Sequence, residues 1–576
     1  MDEKTKLLYK KEDMRGSIQF LFFFILFILT WGCGEKKQKT NQEQKHPLLK
    51  DLFTKDTGKN QEFTDSLAIE AFLQENTSFQ KYENKLLKFY RRRNYALAWS
   101  KNKNFLPQVS MFINLVRNVE DKGLSTEQFN PGMLDSLYSL ASTGRKSSLE
   151  NTSLRKRLDL YLSASYFKYG RSIWKGSIHP QSQLKWYIDR KKIKYGKTLD
   201  SILDSQNGNP FKEYMPLHPE YKKLLSVLDV YRKIEKKGGW PTIPAKKSLQ
   251  KGDSSQAVLL LRKRLYISGD LKKFNTNPVF DETLAEAVKQ YQKRNGLEDD
   301  GVAGINTIEH LNIPVKDRIT QILANLERWR WVPENIGKTY IMVNIPDFSL
   351  QVFEEEAPVM KMKVIVGKKI HTTPIFNDTL RYIVLNPYWN VPKSIAINEI
   401  WPDLKEDSGA LQNQNMEVFE GNNTQHPLDP YTINWDTLSE DNFPYKFRQK
   451  PGKDNALGQI KFLFPNAFSI YLHGTPAKHL FDKNQRDFSH GCIRISEPLK
   501  LAEYVLKDDT IWTDVKIKQT LGGENTWIKL SKQEKLPIYI LYFTVWVDEN
   551  GVIQFRDDIY KHDKELEQLL FEADTR

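Results

Sequence analysis

The chain has 576 residues, 39% of them hydrophobic and 12% aromatic, and a formal net charge of +14. That length exceeds one hydrophobic core and implies roughly three or four domains, and the apolar fraction excludes wholesale disorder. The charge comes without a zinc-finger, helix-turn-helix or ribonucleoprotein motif, so nucleic acid is not an expected partner; weak attraction to an anionic wall or membrane surface is simpler.

An apolar block from Phe20 to Leu29 precedes Thr30-Trp31-Gly32-Cys33. Its length suits a signal-peptide core better than a bilayer-spanning helix, which needs about 20 apolar residues. A small residue directly before a cysteine looks like a bacterial lipoprotein processing site, although Trp31 and Thr30 depart from the usual pattern. Residues 1–33 thus read as a lipoprotein signal with Cys33 as the lipidation site, or as an uncleaved anchor. Either way the body lies in the periplasm or cell envelope, attached to a membrane. Residues 34–65, polar and lysine-rich, suit a flexible tether.

Residues 66–238 are patterned as helices. Leu158, Leu162, Tyr166 and Tyr169 make one apolar face at i, i+4, i+8 and i+11. The arginines at 91–93 read as a solvated helix face. A smaller helical module covers 246–312. Val258, Leu261 and Leu265 mark one helix; Asp281 or Thr283 is placed to cap a second, which carries Leu284, Val288 and Tyr291. Asn295-Gly296-Leu297 ends it, and Asp300-Gly301-Val302-Ala303-Gly304 turns into a short third helix.

From about 335 the pattern becomes β-rich: Tyr340–Ile345, Ser349–Phe353, Met360–Val366 and Thr379–Leu385. Tyr388 and Trp389 follow, placed to line a cleft or to cover the sheet. Residues 402–456 form a polar, weakly patterned insertion, and a structureless loop of that length is usually functional or mobile. The sandwich-like module runs to about 525, with a tail over 526–576.

The chemistry concentrates at His473-Gly474 and at Ser489-His490-Gly491-Cys492. Only two cysteines occur in the chain, so apart from Cys33 there is one thiol, and it sits beside histidine and glycine. A free thiol is mostly protonated at neutral pH, and a neighbouring imidazole can take its proton. Gly491 permits a sharp turn, and backbone N–H groups around it suit an oxyanion. Phe468–Leu472 alternates like a strand that would deliver His473 at its tip, and Cys492–Ile495 reads as a second strand. Inert packing of Cys492 and a zinc site from His473, His490 and Cys492 are the competing readings; the latter lacks a fourth ligand at suitable spacing. His479 reads as a solvated loop residue, and His371 and His426 carry no assigned role.

This arrangement resembles the L,D-transpeptidases, cysteine enzymes that cross-link bacterial peptidoglycan. Their pattern is a histidine, a loop, Ser/Thr-His-Gly-Cys and a polar residue two positions on, here Arg494. Phe89–Trp99 and Gly123–Phe129 resemble the helical scaffold domain of the larger members, and 246–312 resembles a three-helix peptidoglycan-binding domain, with Ile305 in place of a common proline. The implied fold is multidomain α+β: a helical scaffold domain, the small binding domain, and a mostly β-sandwich catalytic domain (335–525) with an inserted lid, followed by a C-terminal extension.

The resemblance implies a nucleophilic Cys492, His473 as general base and proton donor, and His490 orienting the site. Gly491, Ser489, Arg494, Tyr471, Gly474, Trp389 and Tyr388 would hold the oxyanion or substrate. Expected partners are peptidoglycan stem peptides and glycan. The implied reaction is 3→3 cross-linking through a thioester, with no metal or other cofactor. Transfer to water (an L,D-carboxypeptidase), transfer to a protein amine, and a non-catalytic wall-binding scaffold are the alternatives. The same resemblance implies covalent capture of carbapenems at Cys492. Oligomeric state is not readable.

Overall fold

In the computed structural model, residues 61–571 are described apart from 144–146, 180–183, 190–191, 207, 214–216, 245–246 and 422–424, and apart from the side chains of 212 and 213. The leader, Cys33 and nearly all of the tether lie outside the described residues. Helix α1, Ser148–Lys175, is the spine of the N-terminal helical region. Ser147 and Glu150 cap it reciprocally, and Leu158, Leu162, Tyr166 and Tyr169 are buried along it. Asp159 is buried as well, satisfied by Tyr90 Oη at 2.6 Å and by the backbone N–H groups of Ala98 and Trp99. Burial pushes its carboxyl up to about 6. The arginine run is only partly solvated: Arg92 and Arg93 both pair with Asp200, on the helix Tyr195–Asp204.

The small module contains α2 (Gln256–Ile267), α3 (Glu282–Arg294) and α4 (Ile305–Leu311), closed around Val258, Leu261, Leu265, Leu284, Val288 and Tyr291. Asp281, rather than Thr283, caps α3 by accepting from Leu284 N–H. The Gln292 side chain spans the following turn, accepting from Gly301 N–H and donating to the Val302 carbonyl.

Helix α5, Val315–Trp331, then runs between the helical region and the sheet. Buried Arg318 donates to the Gln321 amide oxygen, while Arg330 pairs with Glu327 at 2.5 Å and Arg328 with Asp563. Such pairs are costly to break singly, because the partner is left buried and uncompensated.

The sheet holds β1 (Trp186–Tyr187), β2 (Thr339–Asn344), β3 (Ser349–Glu354), β4 (Ala357–Gly367), β5 (Ile375–Thr379) and β6 (Tyr382–Leu385). The inserted subdomain adds β7 (Trp389–Asn390), β8 (Met416–Glu420) and β9 (Tyr445–Gln449). Back in the sheet come β10 (Ile460–Leu463), β11 (Leu472–His473), β12 (Asp487–Ser489), β13 (Ile493–Ile495), β14 (Thr526–Lys529) and β15 (Pro537–Leu541). The order is β14-β6-β10-β11-β13-β4-β3-β2-β15-β5-β1, with β12 beside β4. Long β4 joins the two halves, pairing with β3 along its first part and with β13 near its end. Phe376 of one half meets Phe464 and Phe468 of the other, and both halves share one apolar core.

Three departures from the sequence reading have local causes. The run Thr379–Leu385 is not one strand. It switches halves at Leu380 and Arg381, whose N–H groups donate to Leu536 and Leu463 carbonyls respectively. The segment after 526 is woven into the sheet: β14 pairs with β6, and β15 lies between β2 and β5. The insertion is not structureless. It has its own three-stranded sheet, β8-β9-β7, and a core of Ile400, Trp401, Leu404, Val418, Trp435 and Phe447. No helix among the described residues is long and apolar enough to cross a membrane.

Candidate active site

Strand pairing brings the chemistry together. Lys461 on β10, His473 on β11 and Arg494 on β13 are successive register partners across three strands. Side chains alternate faces along a strand, so these three share one face, with Tyr471 and Cys492 two residues earlier on theirs. The expected strand Phe468–Leu472 shrinks to its last residue. Ser469 adopts φ +57°, and the Asn466 side chain accepts from Phe468 and Ile470 N–H, holding a turn.

The turn carrying the thiol is fixed from two sides. Ser489 Oγ donates to the Cys492 carbonyl at 2.6 Å and accepts from Gly491 N–H at 3.1 Å. Thr373 Oγ1 donates to the Gly491 carbonyl at 2.8 Å. Gly491 has φ +111°, in the region that favours glycine. Gly367, at the end of β4, passes so near that a Cβ there would fall 2.0 Å from the His371 carbonyl and 3.0 Å from Gly491 Cα.

Cys492 is half-buried and, among the described residues, in no disulfide. Its Sγ faces the Ser469 carbonyl at 3.8 Å. Burial raises the thiol above its usual range, opposed by Tyr471, Lys461 and Arg494. His473 is fully enclosed. Burial first, then Arg494 and Lys461, push its imidazole down to about 3, so it is neutral at physiological pH. Its Nδ1 lies 2.6 Å from the Gly474 carbonyl, an acceptor only. That contact assigns the hydrogen to Nδ1 and leaves Nε2 as acceptor. Among the described residues no hydrogen bond joins His473 to the thiol; the two sit diagonally on adjacent strands, a spacing of about 7–8 Å between Cα atoms.

His490 turns away from the thiol and pairs with Glu399 of the inserted subdomain at 2.6 Å. Glu399 lies in a π-turn, Ala396–Ile400, a distortion frequent at functional sites. Tyr388 and Trp389 belong to the base of that subdomain: Trp389 pairs with β9, and Arg448 stacks on the Tyr388 ring at 4.8 Å. Gly474 packs against Gly458 and Pro498, and His479 is exposed. Among the described residues no group of three or more His, Cys, Asp or Glu side chains is arranged to hold a metal ion. Lys461, Glu399, Thr373 and His371, whose ring lies 5.1 Å from that of His490, were not singled out from sequence. No local motif marks them, because each arrives through the fold.

A cavity of about 1230 Å³ opens elsewhere, between the small helical module and the sheet. Its walls carry amides and hydroxyls such as Asn295, Asn306, Asn484 and Ser496, with charges of both signs.

Residues 338–517 match the family described as "L,D-transpeptidase catalytic domain", 84–228 the "Scaffold domain", and 254–311 the "Putative peptidoglycan binding domain". A curated relative from Haemophilus influenzae, "Putative L,D-transpeptidase", is 33% identical over 252 residues, which are 44% of this chain and 50% of the relative. The chain thus spans half the length of the curated relative it matches. Among solved structures, the L,D-transpeptidase of Xylanimonas cellulosilytica aligns at 13% identity over 52% of this chain and 99% of that one, with a TM-score of 0.15. That of Stackebrandtia nassauensis aligns at 12% over 52% and 96%, with a TM-score of 0.20. Scores this low carry no structural argument.

Proposed function

From a chain that carries an L,D-transpeptidase catalytic domain with a scaffold and a peptidoglycan-binding domain, we propose an enzyme of the cell envelope that forms 3→3 cross-links between peptidoglycan stem peptides. In this reading Cys492 Sγ attacks the carbonyl of the third residue of a donor tetrapeptide. Its proton passes to His473 Nε2 and then to the departing terminal amine, leaving a thioester. A side-chain amine of a second stem attacks the thioester, forms the amide and returns the thiol. Splitting the exchange into two acyl transfers is the gain of covalent catalysis.

The observation that carries the proposal is the shared face: thiol, neutral imidazole, phenol and two cations on adjacent strands. A neutral imidazole with Nε2 free is an acceptor, as a general base requires. The diagonal spacing from His473 is within reach of a rotated thiol, and such hydrogen bonds tighten when substrate arrives. The Cys492 backbone N–H would face the oxyanion, since that of Gly491 is held by Ser489, and Arg494, with no carboxylate at ion-pair distance among the described residues, is available to a substrate carboxylate. The inserted subdomain would cover the donor stem. Glycan is assigned to the large polar cleft, and membrane attachment to lipidated Cys33.

The test is mass spectrometry of products from a disaccharide-tetrapeptide. A cross-linked dimer lacking one D-alanine, absent with Cys492→Ala, supports the assignment. Tripeptide alone indicates transfer to water, and unchanged substrate removes the proposal. A carbapenem should add its mass at Cys492.

A further inference from the structure

Lys461 is a half-buried cation without a counter-charge. No carboxylate lies within ion-pair distance of it among the described residues, whereas Lys450 has one in Glu417. Its Nζ sits 3.8 Å from the centroid of the Tyr471 ring. Stacking on an aromatic face compensates a desolvated ammonium only in part. The ionisable group whose charge acts on Lys461 is Cys492. Register explains this: Lys461 is level with His473, and Tyr471, two residues back on the same face, stands between the ammonium and the thiol.

The groups around the thiol can be taken element by element. From β10 comes Lys461; from β11, Tyr471 and His473; from β13, Arg494. The inserted subdomain supplies Glu399, which faces His490 and acts on Arg494, and His371 lies beside His490. His473 is neutral, and Glu399 is engaged by His490. The charge directed at Sγ is therefore cationic. A cation over a phenol ring withdraws density and makes the hydroxyl a stronger donor, and Tyr471 favours the ionised form of the thiol. A charge-assisted donor of this kind favours an anionic acceptor over a neutral one.

We infer that Lys461 is a positioning residue that sets the thiolate population of Cys492, acting through Tyr471 and through its own charge. The inference rests on reading Cys492 as the nucleophile. When the thiol is protonated, the ammonium is stacked and uncompensated. When the proton leaves to His473 or to water, the thiolate becomes its counter-ion, and burial that opposes ionisation of an isolated thiol is offset by the pair. Arg494, half-buried like Lys461, contributes from the strand that follows Cys492, whereas Lys461 reaches the site across the Tyr471 ring.

The experiment is the pH dependence of alkylation of the full chain by iodoacetamide, read at the Cys492 peptide by mass spectrometry so that Cys33 is counted separately. Wild type is compared with Lys461→Met, Lys461→Arg and Tyr471→Phe, each checked for an unchanged thermal transition. The midpoint should rise by about one pH unit in Lys461→Met, roughly a tenfold loss of thiolate at pH 7. In Lys461→Arg it should move by less than a third of that. Tyr471→Phe should raise it, and adding Lys461→Met to Tyr471→Phe should raise it further by less than Lys461→Met alone. If methionine costs the fold, Lys461→Gln makes the same comparison. A Lys461→Met profile superimposed on wild type overturns the inference. Alkylation requires no stem peptide: a protein that forms no cross-links still yields the shift, while an active enzyme with an unshifted profile removes only the role of Lys461.

Discussion

Glu399 Oε1 lies 2.6 Å from His490 Nε2, tying the inserted subdomain to the turn that carries Cys492. Both side chains are partly exposed, 51% and 30%, so the pair contributes at most about 1 kcal/mol. That is weak enough for a substrate to displace. Glu399→Gln should loosen the subdomain, seen as several-fold faster protease cleavage within residues 391–456. Burial already holds His490 below the usual imidazole range, and Glu399 opposes that shift. Its removal should therefore lower the titration midpoint of His490 in an NMR pH series; an upward move would mean the pair is not formed in solution.

The turn at Gly491 depends on how closely β4 passes beneath it. Gly367→Ala would put a methyl group 2.0 Å from a backbone oxygen, a contact no flexible side chain can relieve. The expected cost is about 2–4 kcal/mol of stability, measured by urea unfolding, together with loss of product formation. Unaltered stability would show that the turn can shift.

His473 gives a stability signature in acid. Its folded value of about 3 lies below that of an exposed imidazole, so the unfolded chain binds more protons between roughly pH 6.5 and 3. Stability contributed by neutral His473 is thus present above pH 6.5 and lost as pH falls. Between pH 7 and pH 4 the loss is on the order of 3 kcal/mol. His473→Gln should flatten this slope in urea midpoints taken across that range, and an identical slope would contradict the burial of the ring.

The polar cleft offers a separate check on the glycan assignment. Asn306 from the small helical module and Lys361 from β4 both line it. Asn306→Trp, which fills the cleft, and Lys361→Glu should each reduce co-sedimentation with purified peptidoglycan sacculi several-fold. Alkylation of Cys492 should not change. Undiminished sedimentation would place glycan binding elsewhere.

Much of the architecture was legible where periodicity and rare residues coincide. The face of α1 was readable from its 3.6-residue spacing, the α2–α4 module from its caps and turn glycines, and the thiol motif from the scarcity of cysteine. The failures share a cause. Phe468, Ile470 and Leu472 alternate as a strand would, yet Asn466 offers its side chain to two backbone N–H groups and wins the local competition. The insertion looked formless because its core draws single large residues, Trp401, Trp435 and Phe447, from far apart. Lys461 and Glu399 come to the site only through pairing and docking over tens of residues, which one sequence does not record. The leader and Cys33 lie outside the described residues.

The placement of β15 governs the order in which this molecule can be assembled. It lies between β2 and β5, although about 160 residues separate it from the latter along the chain. At the other edge, β1 must wait for β5, a separation reflected in the 188-residue span between Asp189 and Asn377. The helical region can close on itself early, whereas the sheet gains the strand that joins β2 to β5 only after residues 537–541 have been synthesised. A nascent chain therefore presents Ser489–Cys492 before Tyr560, whose hydroxyl donates to the Gly367 carbonyl beneath that turn, has been synthesised. Completion of the thiol turn's support becomes a late event in biogenesis, timed by one downstream tyrosine.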